Sequence, residues 1–170
     1  MKLIESKKFI EICGTTDPAF LNFRISCMFT LQQNPIQADQ KNPSLPNSST
    51  GACVTFEGIV RSDKHEGKKV ASLLYIADDD ACRAEGEKII EEAISQFPIS
   101  DAVCIQRIGQ VNAGETAVWI GVWSGHRDEA FKACRYIIEE IKHRLLIWKK
   151  EYFTDGTSQW VRGKETSVTP

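Results

Sequence analysis

Several common sequence signals are absent from this chain of 170 residues. No apolar run approaches the length of about 18 residues that indicates a membrane-spanning helix. The first residues mix lysine and glutamate into the apolar positions, so they lack the core of a secretory signal peptide. No CxxC, HExxH or i, i+4 histidine pair occurs, so no metal site is indicated. We therefore expect a cytoplasmic protein without a metal ion or a cofactor.

An excess of positive charge is also missing. The chain has 21 lysine and arginine residues against 23 aspartate and glutamate residues, which gives a formal net charge of −2 at pH 7. A protein that coats nucleic acid has more basic than acidic residues. The composition therefore argues against general binding of polyanions, although it leaves room for a small cationic pocket.

The six cysteines show no spacing typical of a zinc ribbon or a thioredoxin-type site. A chain of this length buries about two thirds of its unfolded surface and needs no covalent staple. Cys53, Cys104 and Cys134 lie in apolar segments, so we expect them to be small buried hydrophobic residues. Reduced thiols agree with a cytoplasmic location.

One low-complexity stretch covers residues 32–50. Fourteen of its 19 residues are Gln, Asn, Ser, Thr or Pro. Such a composition buries too little surface to offset the entropy lost on ordering. We predict a polar loop over 32–50, between an N-terminal segment (1–31) and the main domain (51–163), with a flexible tail over 164–170.

Hydrophobic periodicity predicts an α+β fold with largely antiparallel strand pairing. Two amphipathic helices are expected, one from Asp79 to Phe97 and one that begins near Ser124. The dipeptide Asp155-Gly156 between two apolar runs predicts a C-terminal hairpin. The segment 115–123 is apolar on both faces, as expected for a central strand. Strands are predicted over 52–61, 70–76, 102–108 and 115–123, the last two joined by a turn around Asn112 and Gly114.

Basic residues gather at the ends of the predicted elements. A solvated surface is their common interpretation, because cations complement a helix C-terminus and strand lysines block unwanted edge pairing. Cations at a helix N-terminus, where His126 and Arg127 stand, instead favour an anion-binding pocket. The residues alone leave both interpretations open. The set is Arg61, His126, Arg127, Lys142, His143, Arg144, Lys149 and Lys150, with Trp148 and Trp160 beside the lysines as core residues or as the wall of a site for an aromatic ligand.

Four ordered motifs resemble one known family, the large catalytic subunit of molybdopterin synthase. The first motif ends in Arg61, the third contains His126 and Arg127, and the fourth has Lys142 and Lys149 at a spacing of seven residues. The motifs are GACVTFEGIVR (51–61), RIGQVNAGE (107–115), SGHRDEAFKAC (124–134), and IKHRLLIWKKE (141–151) with the later QWV (159–161). In addition, FRISCMFTLQQNPI (23–36) resembles the family's first strand, which extends the likeness into the N-terminal segment.

The resemblance implies an α/β-hammerhead fold with a catalytic domain over 51–163. It also implies a homodimer at the centre of a heterotetramer. Each outer position would hold a small ubiquitin-like partner whose C-terminal Gly-Gly carries a thiocarboxylate. The reaction would transfer sulfur from that tail, twice, to cyclic pyranopterin monophosphate, and so form the dithiolene of molybdopterin for the molybdenum cofactor. Since the partner brings the sulfur, no cysteine of this chain need be catalytic.

The resemblance also implies roles for the basic residues. Arg61, His126 and Arg127 are expected to bind substrate, and guanidinium groups suit a phosphate. Lys142 is expected to be the main catalytic group, as a proton donor and acceptor or as a transient acyl acceptor. Lys149 is expected to stabilise developing negative charge. Neighbouring cations should lower the pKa values of these lysines.

The sequence departs from the family's motifs at two places. Leu146 stands where proline is usual, and Leu74 stands where an acid is expected on the second strand. One alternative is a non-catalytic scaffold of the same fold that binds the ubiquitin-like partner, although the retained basic residues argue against it. Nucleic-acid binding through the basic cluster is a third interpretation, which the net charge of −2 disfavours.

Overall fold

The computed structural model describes residues 28–41, 48–65 and 67–161. Most of the N-terminal segment 1–31 and the tail predicted over 164–170 therefore lie outside the described residues. The elements are β1 (Met28–Gln32), β2 (Ala52–Ile59), β3 (Lys64–His65), β4 (Lys68–Ala77), α1 (Asp79–Gln96), β5 (Ile99–Arg107), β6 (Gly109–Asn112), β7 (Thr116–Ser124), α2 (Arg127–Arg144), β8 (Ile147–Phe153) and β9 (Ser158–Val161).

The first sheet has four strands in the order β1-β5-β7-β2. Strand β7 lies between β5 and β2 and is antiparallel to both, whereas β1 pairs with β5 in parallel. Every residue of β7 from Ala117 to Ser124 is buried, which confirms the predicted central strand. Both helices pack against one face of this sheet, and the main hydrophobic core fills the layer between them. The predicted α+β class with largely antiparallel pairing is confirmed.

Helix α1 has the bounds that its local signals predict. The Asp78 carboxylate accepts a hydrogen bond from the Ala81 N–H at 3.1 Å and caps the helix. Pro98 follows directly after its end. Gly86 faces the ring of Phe29, and a Cβ at this position would overlap the ring atoms. The glycine therefore allows the close packing of α1 on β1. In the part of the chain that the structure describes, neither helix is long and apolar enough to cross a membrane.

The second sheet contains β3, β4, β8 and β9 in that order, and β6 also pairs with β4. The predicted hairpin is confirmed, because β8 and β9 pair antiparallel across a turn in which Gly156 has a φ of 83°. A small apolar cluster lies where this sheet meets the first one. It consists of Val60, Tyr75, Val111 and Ala117.

Two short strands of the structure, β3 and β6, are not predicted by the sequence pattern. Strand β6 replaces the simple turn expected between 102–108 and 115–123, because Gly109, with a φ of 76°, redirects the chain to pair with β4. Only Val111 of β6 is buried, so this segment is too short and polar to show a period of two. Strand β3 has two residues within the predicted polar loop after β2. Helix α2 begins at Arg127 rather than near Ser124, because β7 continues to that serine.

The prediction that Cys53 is buried is wrong. Side chains along β2 alternate between partly buried and exposed, and Cys53 is exposed, whereas Cys104 and Cys134 are buried as predicted. The neighbouring Ala52 and Val54 pack against the main core. The physical reason is the period of two in a strand, which turns Cys53 to the opposite face of the sheet.

The polar loop after β1 is partly packed rather than fully solvated. Ile36 covers the face of the first sheet opposite the helices, where Val103, Ile105, Trp119 and Trp123 form an apolar cluster. Two of the four tryptophans are therefore core residues of this cluster. An isolated apolar residue in a polar stretch thus anchors the start of the loop.

Candidate functional site

A cavity of about 350 Å³ lies where the C-terminal end of α2 meets both sheets. Its polar groups come from five elements or element ends that are far apart in sequence. They are Arg61, Tyr75, Gln106, Lys142 and Lys149. The rest of the wall is mainly apolar and includes Phe56, Ile141, Leu145 and Ile147. No aspartate or glutamate is among the described residues that line the cavity.

The structure brings together three of the five predicted site residues. Arg61 follows the end of β2, where the pairing with β7 shifts register at Gly58 and Ile59, and its guanidinium lies 3.1 Å from the Asp63 carboxylate. Lys142 lies in the last turn of α2, and Lys149 lies on β8. The turn between α2 and β8 therefore places both lysines on the same cavity.

Lys149 and Lys150 do not protect a sheet edge. Strand β8 pairs with β4 on one side and with β9 on the other, so it is an interior strand. Lys149 contributes to the cavity, while Lys150 pairs in register with Trp160 and lies over its ring at 5.7 Å. Neither Trp148 nor Trp160 is among the described residues that line the cavity, so the site for an aromatic ligand considered between them is not formed there.

The electrostatics of the cavity centre on Lys149. Although this residue keeps an open surface toward solvent, the atoms packed around it lower its pKa, and the charge of Lys142 lowers the pKa further. Its ammonium group lies 5.8 Å from the centroid of the Tyr75 ring. Burial raises the pKa of Tyr75 to about 12, against a smaller opposing effect of the Arg107 charge. At neutral pH the Tyr75 hydroxyl is therefore protonated and is a hydrogen-bond donor.

His126 and Arg127 lie at the opposite end of α2 and do not line this cavity. Both are exposed, and His126 occupies the N-cap position without a side-chain capping bond. Its backbone N–H donates to the hydroxyl of buried Ser124 at 3.2 Å. At 1.5 Å per residue, Arg127 and Lys142 are about 22 Å apart along the helix axis. Within one chain these two groups cannot act on the same small molecule.

Arg144 stabilises the packing of the two helices, although it lies close to Lys142 in the same helical turn. Its guanidinium donates to Glu85 at 2.6 Å, to Glu140 at 3.2 Å and to Glu92. These bonds hold the pKa of Glu92 down at about 2 and raise the pKa of Arg144. Three carboxylates thus bind Arg144 between α1 and α2, and it is not part of the cavity wall.

Two polar cavity residues are missed by the sequence analysis. Tyr75 is inside the segment LLYIADDD, in which the departure from the family motif is at the neighbouring Leu74. The neighbouring position on a strand faces the other side of the sheet, so Leu74 is not part of the wall and its departure from the family leaves the cavity intact. Gln106 is a polar residue among apolar neighbours in a predicted strand, which is the signal that the sequence offers, and the structure shows that it is buried. Leu146, the other departure, is exposed and does not line the cavity either.

The motif RIGQVNAGE has a structural explanation in Arg107. This residue is 4% exposed, and its guanidinium forms an ion pair with Glu115 at 2.9 Å. It also donates to the backbone carbonyls of Thr116 at 3.5 Å, Gln33 at 3.5 Å and Gln110 at 3.4 Å. The first and last residues of the motif therefore join the corner at which β5, β6 and β7 meet. Within the described ranges, no three His, Cys, Asp or Glu side chains come together as a metal site.

Comparison with known proteins places this geometry in a family. The sequence profile of the family described as MoaE protein matches residues 31–144. This chain belongs to the MoaE family. A molybdopterin synthase catalytic subunit of Pyrococcus abyssi is 44% identical over 117 residues, which cover 69% of this chain and 78% of that protein. Another, from a Nostoc species, is 35% identical over 152 residues, which cover 89% of this chain and 92% of that protein.

A solved structure agrees with the fold. The crystal structure of molybdopterin synthase from Staphylococcus aureus matches with a TM-score of 0.73 and 34% identity, over 79% of this chain and 96% of that chain. The resemblance inferred from the motifs is thereby confirmed. As a member of the MoaE family, the chain is a sulfurtransferase of molybdenum-cofactor biosynthesis.

Proposed function

We propose that the cavity is the place where sulfur passes from the C-terminal thiocarboxylate of a small ubiquitin-like partner to cyclic pyranopterin monophosphate. The observation that carries this proposal is a wall with the three cations Arg61, Lys142 and Lys149 and no carboxylate. Two anions must meet in the reaction, the phosphate of the precursor and the thiocarboxylate of the tail. A wall of this charge lowers the free energy of bringing them together.

The size and shape of the cavity suit a small substrate. Its volume of about 350 Å³ lies in the range of pockets that hold small molecules, roughly 300–1,000 Å³. The apolar part of the wall, with Phe56 and Leu145, excludes water from much of the surface. In such surroundings a charged group stabilises a developing negative charge more strongly than in bulk water.

Each cation has a proposed role. Arg61, which is open to solvent, binds the phosphate with its planar guanidinium. Lys142 is the main catalytic group, as a proton donor and acceptor or as a transient acyl acceptor. Lys149 stabilises the negative charge that develops during transfer. In each of the two transfers, sulfur bonds to a carbon of the pterin side chain while a carbon–oxygen bond at that carbon breaks, and the displaced oxygen takes up a proton or stays on the phosphate. The bond between sulfur and the partner's acyl carbon breaks, and the oxygen of water restores the carboxylate of the tail.

His126 and Arg127 enter the site, in our proposal, from a second copy of this chain. Both are exposed, and no carboxylate of the described residues pairs with Arg127 in the same chain. Their distance from Lys142, about 22 Å along α2, requires another molecule to supply them. The proposed assembly is a homodimer with one small partner on each outer side, a heterotetramer. The name catalytic subunit, which the relatives carry, fits an enzyme that works beside another subunit.

We also propose a cytoplasmic location. Four described cysteines are free thiols, namely Cys53, Cys82, Cys104 and Cys134. Free thiols persist in a reducing compartment, whereas secreted proteins of comparable cysteine content form disulfides.

Reconstitution of the reaction tests the proposed function. The purified chain is mixed with the thiocarboxylated partner and the pterin precursor, and the dithiolene product is measured. The control uses the same partner with an ordinary C-terminal carboxylate, which has no sulfur to give. Product only with the thiocarboxylate supports the proposal. Binding of the tail without any product would instead support a non-catalytic scaffold.

A further inference from the structure

The cations explain how the cavity attracts anions but not how it selects one anion among many. Arginine and lysine side chains only donate hydrogen bonds. A heterocyclic ring with amino and ring N–H groups needs acceptors in the wall as well. Two uncharged polar side chains, Gln106 and Tyr75, line the same cavity and supply hydrogen-bonding groups of both kinds.

Gln106 presents an acceptor. Its side-chain amide nitrogen donates to the Arg107 carbonyl at 2.9 Å and to the Ala117 carbonyl at 3.1 Å, so both amide hydrogens are used. The residue is 5% exposed, and no described residue donates to its Oε1 atom. Among the described residues, the enclosed polar side-chain atoms without a partner are on Thr50 and Arg107. Gln106 Oε1 is therefore not enclosed by protein and remains accessible from the cavity.

Tyr75 presents a donor beside it. The residue is 7% exposed, and its hydroxyl makes no hydrogen bond with the residues that the structure describes. The ring is held between the packed cluster of Val60 and Val111 and the ammonium group of Lys149 at 5.8 Å. Because burial raises its pKa to about 12, the hydroxyl keeps its proton over the physiological pH range.

We propose that Gln106 and Tyr75 recognise the uncharged ring of the pterin substrate. Gln106 Oε1 accepts a hydrogen bond from an amino or N–H group of the ring, and the Tyr75 hydroxyl donates to a ring nitrogen or carbonyl oxygen. The cations then hold the phosphate while these two residues select the ring. This inference rests on the proposed function for the identity of the substrate, and it adds the residues that discriminate between a pterin and a bare phosphate.

The two residues are suited to selection because a wrong ligand leaves them unpaired. A buried acceptor and a buried donor that lose water without gaining a partner disfavour binding. Sites built to hydrogen-bond one ligand reject analogues that lack the matching groups. Inorganic phosphate would satisfy the cations of the cavity but neither Gln106 Oε1 nor the full hydrogen-bonding pattern of the wall.

The test measures how two substitutions change the affinity of the reconstituted enzyme for two ligands, the pterin precursor and inorganic phosphate. Gln106→Met removes the acceptor at similar side-chain length, and Tyr75→Phe removes only the hydroxyl. We expect each variant to raise the KM of the pterin precursor about tenfold, the usual effect of one lost buried hydrogen bond. The inhibition constant of inorganic phosphate as a competitor should change by less than about twofold. Arg61→Ala should instead weaken inhibition by phosphate and also raise the precursor KM, because both ligands carry a phosphate.

Matched controls come from outside the cavity. Tyr152→Phe and Gln110→Met make the same chemical changes at positions on the second sheet that do not line the cavity, and both should keep the wild-type KM. Thermal unfolding checks each variant. If Gln106→Met does not fold, Tyr75→Phe, which keeps the packed ring, decides the matter.

Two results would overturn the inference. One is an unchanged precursor KM in Tyr75→Phe and Gln106→Met. The other is a parallel rise in the precursor KM and the phosphate inhibition constant, which would indicate a general disturbance of the cavity. Either result with a normally active wild-type enzyme leaves the proposed function standing. A wild-type enzyme that forms no dithiolene would instead contradict the proposed function itself.

Discussion

The two ends of helix α2 have similar basic residues in different surroundings. At the C-terminal end, Lys142 lies on a cavity between two sheets, together with Arg61 and Lys149. At the N-terminal end, His126 and Arg127 lie on the open surface of the chain. The helix separates the two groups by about 22 Å, so one chain alone does not bring all five predicted site residues to the same cavity.

A second contrast lies within the C-terminal end itself. Arg144 donates to Glu85, Glu92 and Glu140, whereas no described carboxylate pairs with Lys142. Both residues complement the negative end of the helix dipole. Charge at a helix end therefore does not by itself identify a functional residue. The carboxylates around a cation decide whether it stabilises the packing of two helices or remains available to a ligand.

The largest expected effect follows from the loss of Lys142. Lys142→Ala should lower kcat for dithiolene formation about 10²- to 10⁴-fold, the range typical of losing a general acid–base group. Lys132→Ala is the matched control, because Lys132 is exposed on the same helix and pairs with Asp128 on the surface. Single-turnover assays with thiocarboxylated partner measure the effect. Normal transfer by Lys142→Ala would show that this lysine is not the catalytic group.

Mixed dimers test whether the two ends of α2 meet between copies. Arg127→Ala and Lys142→Ala should each be nearly inactive alone. If the site combines both chains, random pairing of the two variants restores one intact site in each mixed dimer, which is about one quarter of all sites. The assay is dithiolene formation after the two proteins are unfolded together and refolded. Absence of any recovery, with mixed dimers verified by mass spectrometry, would contradict a shared site.

The pKa of Lys149 reports the electrostatic interaction between this lysine and Lys142. In the wild-type protein its pKa should lie below the ordinary value of 10.5, because burial and Lys142 both disfavour the charged form. In Lys142→Ala it should rise but remain below 10.5, since burial is the larger cause. NMR titration of the side-chain nitrogen follows the change, with Lys149→Arg to assign the signal. An unaltered pKa in Lys142→Ala would mean that the two lysines do not interact.

The smallest expected effect concerns the structural cation. The bonds from Arg144 lower the pKa of Glu92 from 4.5 to about 2 in the folded chain. The stabilisation is therefore fully present above the ordinary pKa and is lost as pH falls through about 2. Glu92→Gln should flatten the fall of the melting temperature between pH 5 and pH 2, and exposed Glu87→Gln should not. Equal slopes for Glu92→Gln and the wild type would contradict this coupling.

Local signals predicted much of the fold. The cap and the proline at the two ends of α1, the apolar run of β7 and the Asp155-Gly156 hairpin each depend on residues close in sequence. Strand β6 depends instead on pairing with β4, which lies more than 30 residues earlier, and its four residues contain no clear period. Exposed Cys53 shows the same limit, because the side of a strand that faces solvent depends on the layer packed against it.

The candidate site divides in the same way. Arg61, Lys142 and Lys149 were predicted through motifs that resemble a known family, and the structure brings these three together. His126 and Arg127 lie at the other end of α2, and in our proposal a second molecule brings them to the site, which one sequence does not describe. Tyr75 and Gln106 are not predicted because an uncharged polar residue within a strand is common and neither residue belongs to the four motifs. Only the junction of two sheets turns these two strand positions toward one cavity.

Arg107 has a consequence for the order in which the molecule is built. Its guanidinium joins the backbone at Gln33 and Gln110 to Glu115, and the bond to Gln33 spans 74 positions of the chain. Contacts between residues so distant in sequence form after local structure during folding, because closing the long loop has a high entropic cost. The neighbouring cavity is therefore absent from a chain in which only one sheet has formed. A ligand of the cavity binds the finished fold alone, so substrate protects the enzyme against unfolding, and the free energy of unfolding rises with the logarithm of the substrate concentration.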